Sequence, residues 1–465
     1  MKIRFINIML SLGLTIILSG CGASSLRMQS QPVKTDGLFG SVAAADTLSL
    51  ANMPWNDLFS DTYLQKLITE GLENNFDLQI AVQKVREAEA YLQQGKAALL
   101  PSLSAAGKGT YNRNSESIYP NGPRESDTFQ LGFESSWELD IWGRLSSSKR
   151  AFYANLLYSD AGRKAVQTRL IADIANAYYT LLSLDAQLAI TEKTVQKYID
   201  LVETMKVMKE SGKVTGAAVM QSEATRYAAA VTIPDLQQKI REAENTLCLL
   251  VGRTGGTTIE RGKIEQQPPA PIMQIGVPAM LLENRPDVMA AKFLVMKAYE
   301  TTKNARAYFY PSLNITASSG LASVKLDELF DPGSFAAAII GGLTQPVFDK
   351  KANTTRLKVA KAQQKEALLS FKSTLITAGN EVQNTLGSYQ TSVRKIQLRE
   401  LQLDSLNKSV DYTKELLTYG TANYTEVLNA QQGLLSAQLS SVNDRLQQLN
   451  AVVSLYRALG GGWKQ

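Results

Sequence analysis

The sequence contains no histidine in 465 residues and only two cysteines, Cys21 and Cys248. Histidine is the commonest general base and the commonest metal ligand, so its absence removes the usual routes to acid–base catalysis and metal binding. A glycine-rich phosphate loop, a nucleophile motif and a Cys/His cluster are also missing. We therefore expect a protein that is not an enzyme, with no catalytic residue, no cofactor and no metal site.

Long apolar runs and strong net charge are missing as well. After residue 20, no apolar stretch reaches the roughly 18 residues that a membrane-spanning helix needs. The formal net charge is only +6, which over so long a chain does not favour nucleic acid as a partner. Cys248 lies in the apolar run 247–251, a pattern typical of a small buried core thiol.

The first 20 residues predict a secretory signal peptide. Lys2 and Arg4 precede an apolar stretch over residues 8–18, and small residues follow just before Cys21. The tetrapeptide Leu-Ser-Gly-Cys at 18–21 resembles the bacterial lipobox, which implies that Cys21 is lipidated and anchors the mature chain to a membrane. The alternative is a chance thiol near the end of a signal peptide. With Cys21 acylated, Cys248 has no partner, and we expect no disulfide.

Proline is absent from residues 124 to 233 and again from 347 to 465. Helices can run uninterrupted there, and we predict long ones over 144–211 and 347–419. At about 1.5 Å per residue they would be roughly 100 and 110 Å long. Apolar residues at spacings of three, four and seven, interleaved with small ones, favour a coiled coil or a helical tube over a compact domain.

The chain also repeats itself. Residues 72–77 match 282–287, and 101–103 match 311–313, at an offset of 210. Further on, Gly212 matches Gly420 and Gly252 matches Gly460, at an offset of 208. A tandem duplication follows. We divide the chain into a signal peptide (1–20), a lipidated tether (21–60), repeat 1 (61–254), a linker (255–270) and repeat 2 (271–465).

Each repeat predicts two strands: about 102–113 and 127–140 in the first, and about 312–323 and 334–346 in the second. In 129–140 the odd positions are apolar or small and the even positions are mostly polar. This period of two is typical of a strand with one apolar and one polar face. Strands of about ten residues can cross an outer membrane when tilted. We expect Phe129, Leu131 and Phe133 to face lipid, and Gln130 and Glu134 to face a wet lumen.

Four strands cannot close into a barrel, since the smallest membrane barrels have about eight. An open sheet edge in lipid costs several kcal/mol per unpaired backbone group, so the chain must oligomerise if its strands span a membrane. Three copies would supply twelve strands. The alternative is a soluble α+β protein with two hairpins packed on helices.

Three motifs now resemble one family. Residues 277–287, VPAMLLENRPD, resemble its V-P-x-x-L-L-E-x-R-P-D motif; 137–144, WELDIWGR, resemble its strand end; and 419–421 followed by 426–430 resemble its helix-turn-helix tip. With the duplication and the lipobox, the chain over about 50–465 is similar to outer-membrane efflux proteins of the TolC type, lipoprotein subgroup.

The resemblance implies a mixed α and β membrane protein in the bacterial outer membrane. Its homotrimer would form a 12-stranded transmembrane β-barrel, continued by a long α-helical periplasmic barrel with an equatorial domain. The tips, about 211–219 and 419–427, would dock to a periplasmic adaptor protein fed by an inner-membrane pump, which we expect to be of the resistance–nodulation–division class. The tip residues we assign to docking are Gly212, Val214, Thr215, Gly420, Thr421 and Ala422.

Two acidic residues ring the periplasmic entrance in relatives. Glu426 matches the first, whereas Asn429 replaces the second, so any negative ring here is weaker. Ala422 stands where some relatives carry a basic residue, so their gating salt bridge is not carried over.

Two further motifs have structural interpretations. We expect Arg285 and Asp287 to form a local structural pair. Trp137 and Trp142, near a strand end, suit either an interfacial aromatic girdle or burial between barrel and helices.

The leading hypothesis is a passive exit duct of a tripartite efflux system. The alternatives are a duct for type I protein secretion or metal-ion efflux, and a non-conducting coiled-coil periplasmic lipoprotein. The sequence does not specify the cargo.

The two faces of residues 129–140 can be tested with one charge. Leu131→Arg should block barrel assembly, because arginine on the lipid face costs about 2–4 kcal/mol at the bilayer midplane. Gln130→Arg, one position away, should be tolerated. Recovery of folded trimers from the membrane measures both, and the reverse result would mean that the strand is inside out.

Overall fold

The structure, a computed structural model, describes residues 53–117, 124–268, 284–419 and 423–464. The signal peptide, Cys21, most of the tether and the motif residues 277–283 lie outside these ranges. The helices are α1 Trp55–Leu58, α2 Thr62–Asn74, α3 Phe76–Ala97, α4 Arg144–Glu210, α5 Gly216–Ala230, α6 Thr232–Leu250, α7 Pro286–Ala307, α8 Ala352–Thr418 and α9 Tyr424–Ala458. The strands are β1 Ser102–Arg113, β2 Glu125–Leu139, β3 Ser312–Ser323 and β4 Phe335–Thr344.

The two longest helices, α4 and α8, have 67 residues each, roughly 100 Å at 1.5 Å per residue. Helix α4 begins where the sequence predicts, after Gly143 in the left-handed conformation (φ 72°). Helix α8 begins at Ala352, five residues after the predicted start. Lys350 and Lys351 are left-handed here (φ 54° and 66°), and residues in that conformation cannot continue a right-handed helix.

The four strands form one antiparallel sheet in the order β1-β2-β3-β4. The register is unbroken and always pairs even with even numbers: Ser104 opposes Glu134, Glu134 opposes Ser318, and Ser318 opposes Ala338. Because directly opposed residues point to the same side of a sheet, the whole sheet has an even face and an odd face. The alternation visible in β2 therefore extends to β4, whose own sequence blurs it.

The two faces differ in chemistry. The odd face carries most of the large apolar side chains: Leu103, Tyr111, Phe129, Leu131, Phe133, Trp137, Leu139, Leu313, Ile315, Leu321, Phe335, Ile339 and Leu343. The even face carries mainly Ser, Thr, Gly, Ala, Asn and Gln, with Ile340 as its one large apolar residue. This separation is what a sheet between lipid and water requires.

The main core lies where α2, α4, α6 and α9 meet. Its fully buried members include Ile68, Ile174, Tyr178 and Leu247. Cys248 is also fully buried there, as a free thiol. Among the described residues, no helix combines the length and the apolarity needed to cross a membrane.

Each repeat closes on itself through one equivalent hydrogen bond. In repeat 1, Asn75 Nδ2 donates to the Leu250 carbonyl at 2.9 Å. In repeat 2, Arg285, at the position equivalent to Asn75, donates through Nη1 to the Ala458 carbonyl at 2.6 Å. Both bonds join the residue before a helix to the last turn of the final helix of the same repeat, which we call the repeat clamp.

The expected pair of Arg285 and Asp287 is present and belongs to a larger network. Arg285 Nε and Nη2 lie 3.0 and 2.8 Å from the Asp287 carboxylate, and Nη2 lies 2.7 Å from Glu381 Oε2 on α8. Arg285 is 6% exposed. Burial would lower the pKa of its guanidinium, but the hydrogen bonds that it donates to Asp287 and Glu381, together with their negative charges, outweigh burial and raise the pKa. The charge is thus fully paired at the repeat clamp.

A substitution at Gly252, two residues after the last helix of repeat 1, can test the packing at the repeat clamp. Gly252 has φ 77°, and a Cβ there would lie 2.7 Å from the Asn74 carbonyl oxygen. Gly252→Ala should lower the free energy of unfolding by at least about 1–2 kcal/mol, since it adds left-handed strain to this clash. The matched control is Gly387→Ala inside α8, where nothing lies within 4 Å of the added methyl group, so stability should rise by about 0.5–1 kcal/mol. Thermal unfolding in detergent compares the two, and equal effects would contradict the clamp.

Candidate channel surfaces and docking tips

The sheet presents the predicted lipid-facing and lumen-facing residues on opposite sides. Phe129, Leu131 and Phe133 lie on the odd face, and Gln130 and Glu134 lie on the even face. Many large apolar residues of the odd face are exposed in the single chain, for example Phe133 at 55% and Ile339 at 81%. An exposed apolar surface of this extent needs lipid or a protein partner to cover it.

Different residue types stand at the two ends of the apolar band on the odd face. At the loop end of the β1–β2 hairpin, Arg113 opposes Glu125, and Tyr111 opposes Asp127. At the helix end stand Trp137 and Leu139. Along the strands, charged residues are followed by aromatic and aliphatic residues and then by tryptophan. This order is typical of a strand that crosses a bilayer from one aqueous side to the other.

Both tryptophans tie the strand end to neighbouring turns. Trp137 Nε1 donates to the Leu99 carbonyl at 3.0 Å. Trp142 Nε1 donates to the Pro311 carbonyl at 2.7 Å, and its ring stacks on Tyr310 at 4.9 Å. The two residues remain 38% and 49% exposed in the single chain, although each indole N–H has a hydrogen-bond acceptor. This arrangement favours the girdle interpretation over burial.

The passage from strand to helix depends on Asp140 and Arg144. The two carboxylate oxygens of Asp140 accept hydrogen bonds from the Leu145 and Ser146 amides, both at 2.8 Å, and so cap the first turn of α4. Arg144 pairs with Glu138 and donates to Tyr308 Oη at 3.0 Å. The charge of Glu138, which lies on the even face, is therefore neutralised at the junction.

Asp140 is a titratable cap. Burial would raise the pKa of its carboxyl, but hydrogen bonds from Ser146 and Leu145, with the nearby Arg144 charge, outweigh burial and hold the pKa below its usual range. A lowered folded-state pKa means that Asp140 stabilises the fold above the ordinary carboxyl pKa of about 3.9 and loses this contribution as the pH falls through its lowered value.

The first tip lies between α4 and α5. Gly212 turns the chain with φ 72°, and Thr215 caps α5 by accepting a hydrogen bond from the Ala218 amide at 3.4 Å. Gly212 and Thr215 are exposed, whereas Val214 is partly buried. Val214 packs on an apolar cluster that joins both hairpins: Leu201, Met205, Val219, Leu417, Val427 and Leu428. The described flanks of the two tips are therefore held together by this cluster.

The second tip is described only at its flanks. Gly420, Thr421 and Ala422 lie outside the described residues. Asn423 caps α9 by accepting from the Thr425 amide at 3.2 Å. Glu426 and Asn429 are both exposed, three residues apart on one side of α9, while Val427 and Leu428 between them point into the apolar cluster. The N-terminal turn of a helix stabilises a carboxylate such as Glu426.

The sequence analysis did not predict one buried cluster of charged residues. Asp444 on α9 is 2% exposed and lies 2.7 Å from Lys395 Nζ and 2.8 Å from Arg399 Nε on α8. Lysine and arginine four residues apart lie on one face of a helix, a signal that could have found it. Within the described ranges, no group of three or more cysteine and carboxylate side chains is placed to hold a metal ion.

Comparison with known proteins agrees with this geometry. The outer membrane efflux protein family model matches residues 67–253 and 277–461. The solvent efflux pump outer membrane protein SrpC of Pseudomonas putida is 28% identical over 430 residues, which cover 92% of each chain. The cation efflux system protein CusC of Escherichia coli is 29% identical over 431 residues, covering 92% of this chain and 91% of CusC.

Among solved structures, the MtrE outer membrane channel of Neisseria gonorrhoeae in its open state is similar over 92% of this chain and 95% of MtrE. The TM-score is 0.83 and the sequence identity 25%. The chain thus shares the fold of an outer-membrane channel, to which it contributes four strands.

The cap at the strand-to-helix junction yields a graded prediction. Asp140→Ala should lower the free energy of unfolding by about 1 kcal/mol, because two amides lose their acceptor. Asp140→Asn keeps one acceptor and should cost less at neutral pH. Thermal unfolding at pH 7 and pH 3 measures both, and wild type should lose more stability on acidification than the Asn variant. Identical pH profiles would contradict the assigned role.

Proposed function

The chain belongs to the outer membrane efflux protein family, and from this premise we propose that it forms a homotrimeric exit duct of a tripartite efflux system. It is an outer-membrane efflux channel. In the proposed system an inner-membrane pump of the resistance–nodulation–division class expels cargo through a periplasmic adaptor protein into the duct. The duct itself is passive and has no catalytic residue.

The chemical separation of the two sheet faces carries the proposal. The odd face carries large apolar side chains on all four strands. The even face is rich in hydroxyl and amide groups on β1, β2 and β3, and on β4 it is uncharged. In a soluble α+β protein, helices of the same chain would cover the apolar face of such a sheet, whereas Phe133 and Ile339 on this face are exposed. Here Phe129, Leu131 and Phe133 face lipid, and Gln130 and Glu134 face the lumen.

The sheet edges support a trimer. Among the described strands, β1 and β4 each pair with only one neighbour. In lipid, β4 of one copy pairs with β1 of the next, because unpaired backbone groups cost several kcal/mol each in hydrocarbon. Three copies close at twelve strands, which exceeds the minimum of about eight for such barrels. Lipidation of Cys21 adds an anchor in the same membrane.

The tips are proposed to dock to the adaptor. Gly212, Val214 and Thr215 of the first hairpin, with Gly420, Thr421 and Ala422 of the second, have small side chains that admit a partner helix tip. The shared apolar cluster supports a joint role for both hairpins. Three copies of Glu426 ring the periplasmic entrance, and Asn429 leaves that ring less negative than two acidic residues would.

The names of two relatives point to different cargos. SrpC is named for solvents and CusC for cations, and the two are almost equally similar to this chain. In such a system the pump selects the cargo.

Docking and conduction can be tested separately. Gly420→Trp should abolish export in cells, because a bulky ring at the tip blocks the adaptor, while trimers form normally. Purified trimers of wild type and of the variant should both conduct in planar bilayers. Survival of export would disprove the docking assignment. An absence of conductance from wild-type trimers would instead support the non-conducting spacer.

A further inference from the structure

The even face of the sheet carries very little charge. Among the described residues of the four strands, its only charged side chains are Lys108 on β1 and Glu134 and Glu138 on β2. Glu138 is already paired with Arg144 at the helix end. Lys108 and Glu134 are thus two single charges on a surface otherwise made of hydroxyls, amides and small residues.

Neither charge is neutralised within the described part of the chain. Lys108 opposes Gln130, and Glu134 lies between Ser104 and Ser318, so their nearest cross-strand neighbours are uncharged. No ion pair between described residues involves either of them. Both are exposed. Glu134 also borders a shallow serine- and threonine-lined groove of about 290 Å³ on this face.

Closure of the barrel would not neutralise Lys108 either. In the proposed trimer, β1 of one copy pairs with β4 of the next. The even-face side chains of β4 are all uncharged: Ala336, Ala338, Ile340, Gly342 and Thr344. Whatever the register between copies, no carboxylate of β4 can reach Lys108. Its charge stays in the lumen.

The two charges lie at different depths. Lys108 is level with Gln130, and Glu134 is four residues further along β2 towards the helices. At about 3.3 Å per residue, the separation along the strand is roughly 13 Å, and a strand tilt of about 40° makes it about 10 Å along the pore axis. The Debye length is also about 10 Å at 0.1 M salt, so each charge is partly screened from an ion at the level of the other.

We propose that Lys108 and Glu134 form two rings of opposite charge in the barrel lumen, and that their balance sets the ion selectivity of the exit. The inference rests on the proposed function, since it needs a trimeric barrel with the even face inside. Three lysines at the outer level hinder cations, and three glutamates at the inner level hinder anions. Because the rings have equal and opposite charge, the barrel passes cargo of either sign without strong preference.

The experiment measures reversal potentials of purified trimers in planar bilayers under a KCl gradient, near 0.1 M. Relative to wild type, Lys108→Gln should raise the K⁺ to Cl⁻ permeability ratio, and Glu134→Gln should lower it, each by roughly threefold. The double variant should return close to wild type. Shifts are read against wild type because the Glu426 ring contributes a constant preference in all four proteins.

The controls separate charge from structure. Lys66→Gln removes a lysine from the exposed side of α2, outside the sheet, and should leave the reversal potential unchanged. Lys108→Arg and Glu134→Asp keep the charge and should resemble wild type. If Lys108→Gln assembles poorly, Lys108→Cys treated with a cationic thiol reagent should restore wild-type selectivity, since Cys248 is buried and the acylated Cys21 is unreactive.

The outcomes are distinct. Opposite shifts that cancel in the double variant support the two rings. Conducting trimers whose reversal potential ignores both substitutions, or moves the same way for both, overturn the rings while leaving the duct intact. Trimers that do not conduct at all overturn the duct and the rings together.

Discussion

Hydrocarbon offers no hydrogen-bond partner to a peptide group, and a four-stranded sheet leaves two rows of such groups unpaired, along β1 and along β4. Several features of the sheet are consistent with this constraint. The odd face is apolar where it must be, charged residues stand at the loop end of the hairpin, and tryptophans stand at the helix end. The missing strand neighbours have to come from other copies of the chain, so the sheet is complete only in an assembly.

The duplication shows how one geometry is met with different chemistry. The repeat clamp uses a neutral amide in the first half, from Asn75, and a buried guanidinium with two carboxylate partners in the second, from Arg285. The strand ends behave similarly. Trp137 donates to the Leu99 carbonyl, and Gln345, its equivalent, donates to the Phe309 carbonyl at 3.3 Å. What the halves share is the position of donors and acceptors rather than the side chains that supply them.

Sequence reasoning succeeded where the signal is local and periodic. The alternation in β2 and the absence of proline from α4 are such signals, and four strands per chain followed from them with the duplication. It failed at Lys351, because a lysine in the left-handed conformation has no sequence signature where the first repeat uses Gly143. It also missed the clamp, whose partners Arg285 and Ala458 are 173 residues apart. The shared cluster beneath the tips, with Val427 and Leu428, likewise appears only when both hairpins fold together.

The unbroken register restricts which insertions, deletions and substitutions the sequence can accept during evolution. Side chains alternate between the apolar odd face and the polar even face with a period of two, so inserting or deleting a single residue within a strand would exchange the two faces from that point onward. Substitutions among apolar residues on the odd face, or among small polar residues on the even face, leave the sheet intact. Strand length is therefore under tighter restriction than residue identity, and changes in length belong in the loops that join β1 to β2 and β3 to β4.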